Sequence, residues 1–203
     1  MADTNKQSQT TNSMNLLQAK EYYESLGFSV FPLIPGGKLP LFDLTFSKLR
    51  PDYAWATAPP DANIGIRCGG KKHLVVLDCD EKYAPGTFRR VIKFLKSNNL
   101  VEKELLIVQT ASLGGAGGHI YFQCPELEKP RGSVKLLPRD MGAGEIRYGY
   151  MAYVAAPPSI ITPTNDEFGI GGTYMVINGD FAELPTISLE VLKLLHPYHR
   201  FRD

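Results

Sequence analysis

Two aspartates stand two residues apart at the end of the most apolar run of the chain. Residues 73–80 read HLVVLDCD, so a β-strand over this run would project Asp78 and Asp80 from one face, because side chains alternate along a strand. Neighbouring carboxylates repel each other unless a cation lies between them, and Mg²⁺ and Mn²⁺ prefer oxygen ligands. We interpret the pair as candidate metal ligands. The competing interpretation is two solvated acids that follow the end of a strand.

A glycine-rich segment comes next, TASLGGAGGHIYF over residues 110–122. Its glycines, 114, 115, 117 and 118, would let backbone amides approach an anion closely. His119 then opens a strand with alternating apolar residues. This arrangement suits a triphosphate, and the alternative is a flexible hairpin turn with an incidental histidine.

Two further segments offer charged side chains. In GEIRYGYMAYVAAPPS, over residues 144–159, Glu145 and Arg147 would face the same side of a strand. Glu145 could complete a site of three carboxylates and Arg147 could bind phosphate, although a surface ion pair is the common alternative. Lys38, in PGGKLP, could also meet phosphate. Its loop lacks the Walker spacing, and a simply exposed lysine is the alternative.

The hydrophobic periodicity predicts the elements that must position these residues. Helices are predicted over residues 14–26, 53–56 and 87–98, with a last helix that begins at Ser188 as N-cap. Strands are predicted over residues 28–33, 63–67, 73–80, 104–110, 118–123, 144–148 and 150–155. This order lacks strict β-α alternation and predicts an α+β fold, in which helices cover one face of a mostly antiparallel sheet. The proline-rich residues after Ala155 are expected to be surface excursions.

Composition sets the limits of the interpretation. The chain has 203 residues, of which 43% are hydrophobic and 21% charged, as expected for a folded domain. The net charge of +1 neither favours nor excludes nucleic-acid binding. Three scattered cysteines argue against a zinc knuckle and for a reducing compartment. No run is long enough to cross a membrane and no signal core precedes the domain, so we expect a cytoplasmic protein.

Taken in order, these segments resemble the primase-polymerase (prim-pol) family of the archaeo-eukaryotic primase superfamily. The resembling segments are VFPLIPGGKLP, NIGIRCGG with HLVVLDCD, the glycine-histidine segment, and GEIRYGYMAYVAAPPS, whose last residues are close to the GYVVAPPS of the family. The resemblance spans roughly residues 16–177. It implies a core related to the RNA-recognition fold, packed against a small α/β subdomain. We expect residues 1–13 to be a disordered lead-in, 14–180 the catalytic domain, and 181–203 a C-terminal helix and tail.

The resemblance also implies roles for single residues. Asp78, Asp80 and Glu145 would hold two divalent cations, Mg²⁺ or Mn²⁺, although the third acid of the family is more often aspartate. His119 would contact the phosphates of the incoming nucleotide, with Ser112, Arg147 and Lys38 as further nucleotide contacts. The implied partners are a DNA template with its primer, nucleoside triphosphates, and a replicative helicase or helical accessory domain.

A basic segment lies between the second and third motifs. KPRGSVKLLPRD offers Lys129, Arg131, Lys135 and Arg139, which we predict to contact the backbone of the template. The alternative is a solvated basic loop.

Three other functions compete with a primase-polymerase. A toprim enzyme also has a DxD pair, but its glutamate precedes the pair on an earlier strand, where this chain has none. A nucleic-acid-binding module of the RNA-recognition type needs exposed aromatic residues on its central strands. Tyr121 and Phe122 are adjacent, so only one of them could face an open side. An inactive replication scaffold is the third alternative, against which the intact acids argue.

Overall fold

The computed structural model describes residues 11–41, 51–97, 105–111, 115–127, 133–135, 141–163 and 170–196, and only the backbone at 51–53 and 133–135. Its helices are α1 (Leu16–Ser25), α2 (Pro51–Ala56), α3 (Thr87–Ser97) and α4 (Leu189–Leu195). Its strands are β1 (Val30–Leu33), β2 (Asn63–Arg67), β3 (Leu74–Cys79), β4 (Leu106–Gln109), β5 (Gly118–Gln123), β6 (Ser133–Lys135), β7 (Gly144–Tyr148), β8 (Tyr153–Ala156), β9 (Ile160–Ile161), β10 (Gly172–Thr173) and β11 (Met175–Asn178).

An antiparallel sheet of six strands forms the centre of the fold. Its order is β11-β4-β5-β3-β7-β6, with β3 between β5 and β7. The predicted alternation of β3 is confirmed, because Val75, Leu77 and Cys79 pack in one core and Val76 packs in the other. The α+β class is therefore confirmed as well.

The two faces of this sheet are covered by different layers. Helices α3 and α4 pack on one face through apolar residues such as Val91, Leu95 and Leu192. On the other face lie α1 and a second sheet of three strands, in the order β1-β2-β8. Helices therefore lie on both faces rather than on one as predicted, and the periodicity did not divide the predicted strands between two sheets. In the described part of the chain, no helix has both the length and the apolar character to span a bilayer.

Helix α1 begins and ends where local chemistry requires. Asn15 caps it in a capping box with Gln18, which satisfies amide groups that the first turn leaves unpaired. Gly27 follows with φ of +86°, a conformation that favours glycine. Ala19 and Tyr23 are buried, whereas Leu17 is 62% exposed.

The residues after Ala155 are not surface excursions as a whole. Ser159 is buried, and its hydroxyl both donates to Ile64 O and accepts from Ile64 N. Tyr23 donates its hydroxyl proton to Pro157 O at 2.8 Å. These contacts fix this segment against α1 and the second sheet. Asn12, within the predicted lead-in, exchanges two hydrogen bonds with the backbone of Val176.

Candidate active site

Three charged or polar residues form a row across the middle of the large sheet. Asp78 on β3 is opposite His119 on β5 and opposite Glu145 on β7. Directly opposed residues share a face of the sheet, so all three side chains project on the same side. Strand pairing therefore brings together residues that are up to 67 positions apart in the chain, as the numbers 78 and 145 show.

Asp78 is held by two nitrogen donors. Arg147 Nε donates to Asp78 Oδ2 at 3.0 Å, and His119 Nε2 lies 3.3 Å from Asp78 Oδ1. Burial by itself raises the pKa of Asp78, but His119 and Arg147 together outweigh burial and lower that pKa below its usual range. Asp78 is therefore held as an anion.

Arg147 joins two of the candidate metal ligands. Its Nη2 atom lies 2.8 Å from Glu145 Oε2, while its Nε atom binds Asp78. The prediction that Glu145 and Arg147 face the same side is confirmed by the pairing of β3 with β7. One guanidinium thus partly neutralises two carboxylates that would otherwise repel each other.

Asp80 lies directly after β3 and its environment differs from that of Asp78. Its backbone amide donates to Ala143 O at 3.0 Å, and its Oδ1 accepts from Lys82 N at 3.1 Å. Burial and the nearby Asp78 raise the pKa of Asp80 above its usual value, despite this hydrogen bond and the positive charges of Lys82 and Lys38. Burial therefore disfavours the anion of Asp80 more than the nearby donors and lysines favour it.

The loop that carries Asp80 is joined to the start of β7 by a buried threonine. Thr87 is fully buried, and its hydroxyl donates to Ala84 O at 2.6 Å and accepts from Ala143 N at 3.0 Å. Glu81 accepts hydrogen bonds from Gly86 N and Phe88 N, at the start of α3. Sequence analysis missed both residues, since neither has a motif of its own.

All three candidate metal ligands line one cavity of about 400 Å³. Carboxylate oxygens suit a hard divalent cation, and the excess negative charge at Asp80 would be relieved by one. Within the described ranges, however, no three carboxylate, imidazole or thiol groups converge as a ready metal site. The carboxylates are suitable ligands for two divalent cations. Their present spacing does not suit those cations, because Arg147 lies between Asp78 and Glu145.

A second cavity of about 360 Å³ adjoins the first and extends between the two sheets. Asp78, Asp80, His119 and Arg147 line it together with Lys38, Lys82, Tyr83, Thr110, Tyr153 and Tyr174. Lys38 Nζ lies 5.9 Å from the centroid of the Tyr174 ring, and the Tyr153 hydroxyl donates to Lys38 O at 3.1 Å. Its cationic and hydroxyl-bearing lining can bind an anion. Sequence analysis found Lys38 but missed Lys82, whose position two residues after Asp80 was an available signal.

His119 is more enclosed than its predicted role requires. The side chain is buried, Nε2 faces Asp78, and Nδ1 lies 3.4 Å from the Tyr121 hydroxyl. Its contact with a nucleotide phosphate stays a prediction. Gly118, before it, has a packing role, because a Cβ atom there would lie 2.5 Å from the Phe88 ring.

Several predicted site residues lie where the structure gives no side-chain description. Ser112, Lys129, Arg131 and Arg139 fall outside the described residues. Lys135 is described through its backbone only, where β6 pairs with β7 and sets Lys135 opposite Glu145. Of the basic segment, the backbone of residues 133–135 therefore lies beside the strand that carries Glu145.

The comparison with known families matches most of the chain. The model of the Prim-Pol family, described as "Bifunctional DNA primase/polymerase, N-terminal", matches residues 19–187. A search of curated proteins finds no match.

Proposed function

The chain belongs to the Prim-Pol family of bifunctional DNA primase/polymerase N-terminal domains, and from this membership we propose its reaction. The family indicates a nucleotidyltransferase-type enzyme that acts on DNA and nucleotides, generally with divalent metals. We propose that this chain transfers nucleotides from nucleoside triphosphates to a primer 3′-hydroxyl under the direction of a DNA template. The observation on which the proposal rests most is the cavity shared by Asp78, Asp80 and Glu145.

The proposed metal ligands are these three carboxylates. Asp78 and Glu145 project from adjacent central strands, which are rigid elements on which to mount a site. Two divalent cations bound there would supply activation of the primer hydroxyl and stabilisation of the leaving pyrophosphate. Asp78→Asn and Asp80→Asn are expected to abolish extension while the fold survives.

The proposed triphosphate site is the adjoining cavity. Lys38, Lys82 and Arg147 line it, and three cations there would offset the charge of the phosphates and orient the α-phosphate toward the carboxylates. His119 is proposed to position Asp78, since its Nε2 faces that carboxylate, and to reach a phosphate only if that contact opens. Ser112 stays a proposed nucleotide contact.

Template binding is proposed along the segment that contains Lys129, Arg131, Lys135 and Arg139. Its support is the pairing that sets Lys135 opposite Glu145, next to the carboxylates. Neutralising the four residues should weaken DNA binding and flatten its dependence on salt, because fewer counterions are released. Unchanged affinity would remove this surface from the proposal.

A nucleic-acid-binding module without catalysis is the second candidate, and burial of the central aromatic residues disfavours it. Tyr121 and Phe122 on β5 are both fully buried, so neither can stack on a base from an open sheet face. Titration of Mn²⁺ with a nucleoside triphosphate separates the two functions. A simple binding module should show no metal-dependent binding of the triphosphate.

The decisive experiment is extension of a primed single-stranded template with Mg²⁺ or Mn²⁺ and each sugar type. Unprimed template, run in parallel, tests synthesis of a strand without a primer. Glu190→Gln, which neutralises an exposed acid on α4, is the matched control for Asp78→Asn. The proposal would be refuted if Asp78→Asn extended the primer as well as the unaltered chain does. It would also be refuted if the unaltered chain extended no primer under any of these conditions.

A further inference from the structure

Arg147 stands at the boundary between the two cavities of the site. It lines the carboxylate cavity beside Asp80 and Glu145, and it also lines the cavity that contains Lys38 and Thr110. Among the residues with described side chains, the other positively charged residues of the second cavity do not line the first. Arg147 can therefore reach both the proposed metal ligands and the proposed triphosphate site.

The guanidinium uses the carboxylate oxygens that a divalent cation would need. Nε binds Asp78 Oδ2 and Nη2 binds Glu145 Oε2, at 3.0 and 2.8 Å. These two nitrogens lie on one edge of the planar guanidinium, so a single rotation of the side chain would release both oxygens. A divalent cation and Arg147 therefore compete for the same negative charge.

The charge balance favours exchange over simultaneous binding. Asp78, Asp80 and Glu145 supply three negative charges in one cavity, and Arg147 is bonded to two of them, Asp78 and Glu145. A divalent cation at these oxygens would repel the guanidinium, and the adjoining cavity offers it a triphosphate, which a guanidinium binds well. Cation binding at the carboxylates then promotes triphosphate binding by freeing Arg147.

We propose that Arg147 is an exchange residue, which neutralises Asp78 and Glu145 until a divalent cation displaces it and then binds the triphosphate. This inference rests on the proposed function and specifies how its two ligands are coupled. Because such coupling is reciprocal, triphosphate binding should also favour the cation. A fixed ion pair with only a structural role would produce no such effect.

The test measures Mn²⁺ binding to the whole chain by titration calorimetry, without nucleotide. Arg147→Gln is expected to bind Mn²⁺ about tenfold more tightly than the unaltered chain, because the competing charge has gone; this factor corresponds to about 1.4 kcal/mol. Arg147→Lys keeps the charge but loses the planar pair of donors, so its increase should be smaller. Arg89→Gln removes the same charge at an exposed position of α3 and should bind Mn²⁺ as the unaltered chain does.

The second measurement is binding of dATP and of ATP in the presence of saturating Mn²⁺. Arg147→Gln should bind these triphosphates more weakly, so the two ligands change affinity in opposite directions. Far-ultraviolet circular dichroism checks that each variant is folded, and Arg147→Lys tests the same competition if Arg147→Gln does not fold.

The outcomes separate this inference from the proposed function. Mn²⁺ affinity that is unchanged or reduced in the folded Arg147 variants overturns the exchange. The metal site itself stands in that case, provided that the unaltered chain binds Mn²⁺ and Asp78→Asn does not. Failure of the unaltered chain to bind Mn²⁺ overturns both.

Discussion

Replacing Thr87 with valine removes a buried hydroxyl while nearly preserving the volume of the side chain. The hydroxyl accepts from Ala143 N at 3.0 Å and donates to Ala84 O at 2.6 Å. Ala143 and Ala84 are only partly buried, so each lost hydrogen bond should cost about 1 kcal/mol and Thr87→Val should lower the free energy of unfolding by about 2 kcal/mol. Thr87→Ser keeps the hydroxyl and should cost only about 1 kcal/mol for the methyl group.

Urea unfolding measures both variants against the unaltered chain, with the slope of the transition as a check on two-state behaviour. The same hydroxyl also bears on the site, because Ala143 O accepts from the backbone amide of Asp80. At temperatures where it remains folded, Thr87→Val should bind Mn²⁺ less tightly than Thr87→Ser. If the two variants unfold within about 0.5 kcal/mol of each other, a difference typical of surface changes, the hydroxyl does not join the two loops as described.

Opposite pKa shifts predict opposite effects on stability. The pKa of Asp78 is lowered in the folded chain, so its anion stabilises the fold above the unfolded pKa, and this stability is lost as the pH falls through the folded pKa. Asp78→Asn should lower the free energy of unfolding by about 2 kcal/mol at neutral pH, a magnitude typical of charged hydrogen bonds. The pKa of Asp80 is raised, so its contribution is lost as the pH rises through the folded pKa. Asp80→Asn should unfold at a temperature equal to or above that of the unaltered chain, while extension is lost. Thermal unfolding at about pH 2, 4 and 7 checks both, because the window of Asp78 lies below its unfolded pKa of about 4 and that of Asp80 lies above it. Destabilisation by Asp80→Asn at pH 7 would contradict the charge argument. Glu81 accepts hydrogen bonds from Gly86 N and Phe88 N, so Glu81→Ala should lower the free energy of unfolding by about 1–2 kcal/mol, the cost of a lost helix cap. If its urea midpoint changes no more than that of Glu190→Gln, Glu81 does not cap this helix.

The part of the site that the sequence predicted is the part set by strand periodicity. Alternation along residues 73–80 predicted Asp78 and Asp80 on one face of a strand, but β3 ends at Cys79, so only Asp78 lies on it. Alternation along residues 144–148 put Glu145 and Arg147 on one face, as the structure has them. That Asp78 is opposite Glu145 depends on the register of β3 with β7, which no local pattern encodes. Only the order of motifs in the family made that pairing predictable.

The sequence did not predict how the strands divide into layers or how the loops contact each other, and the reasons differ. Strands β9 and β10 have two residues each, too few to show a period. Strands β1, β2 and β8 were predicted, but their pairing in a separate sheet was not. They are apolar throughout their central positions, as strands buried on both faces are, and that pattern does not indicate which strands pair. Thr87 and Ala143 are 56 residues apart and are joined by one hydroxyl group. A single contact of this kind produces no pattern in the sequence.

The site combines side chains on rigid strands with a long side chain and a loop that can adjust, and this difference determines how its negative charge is compensated. The row of His119, Asp78 and Glu145 sits on three paired central strands, so the carboxylates of Asp78 and Glu145 cannot move far apart to reduce their repulsion. Compensation must come from a mobile cation, and Arg147 has the long side chain that can supply it and withdraw. Asp80, on the loop after β3, accepts a hydrogen bond from Lys82 N, and burial raises its pKa in spite of that bond and of the positive charges of Lys82 and Lys38. A ligand that brings positive charge to Asp80 should therefore stabilise the folded chain as it binds.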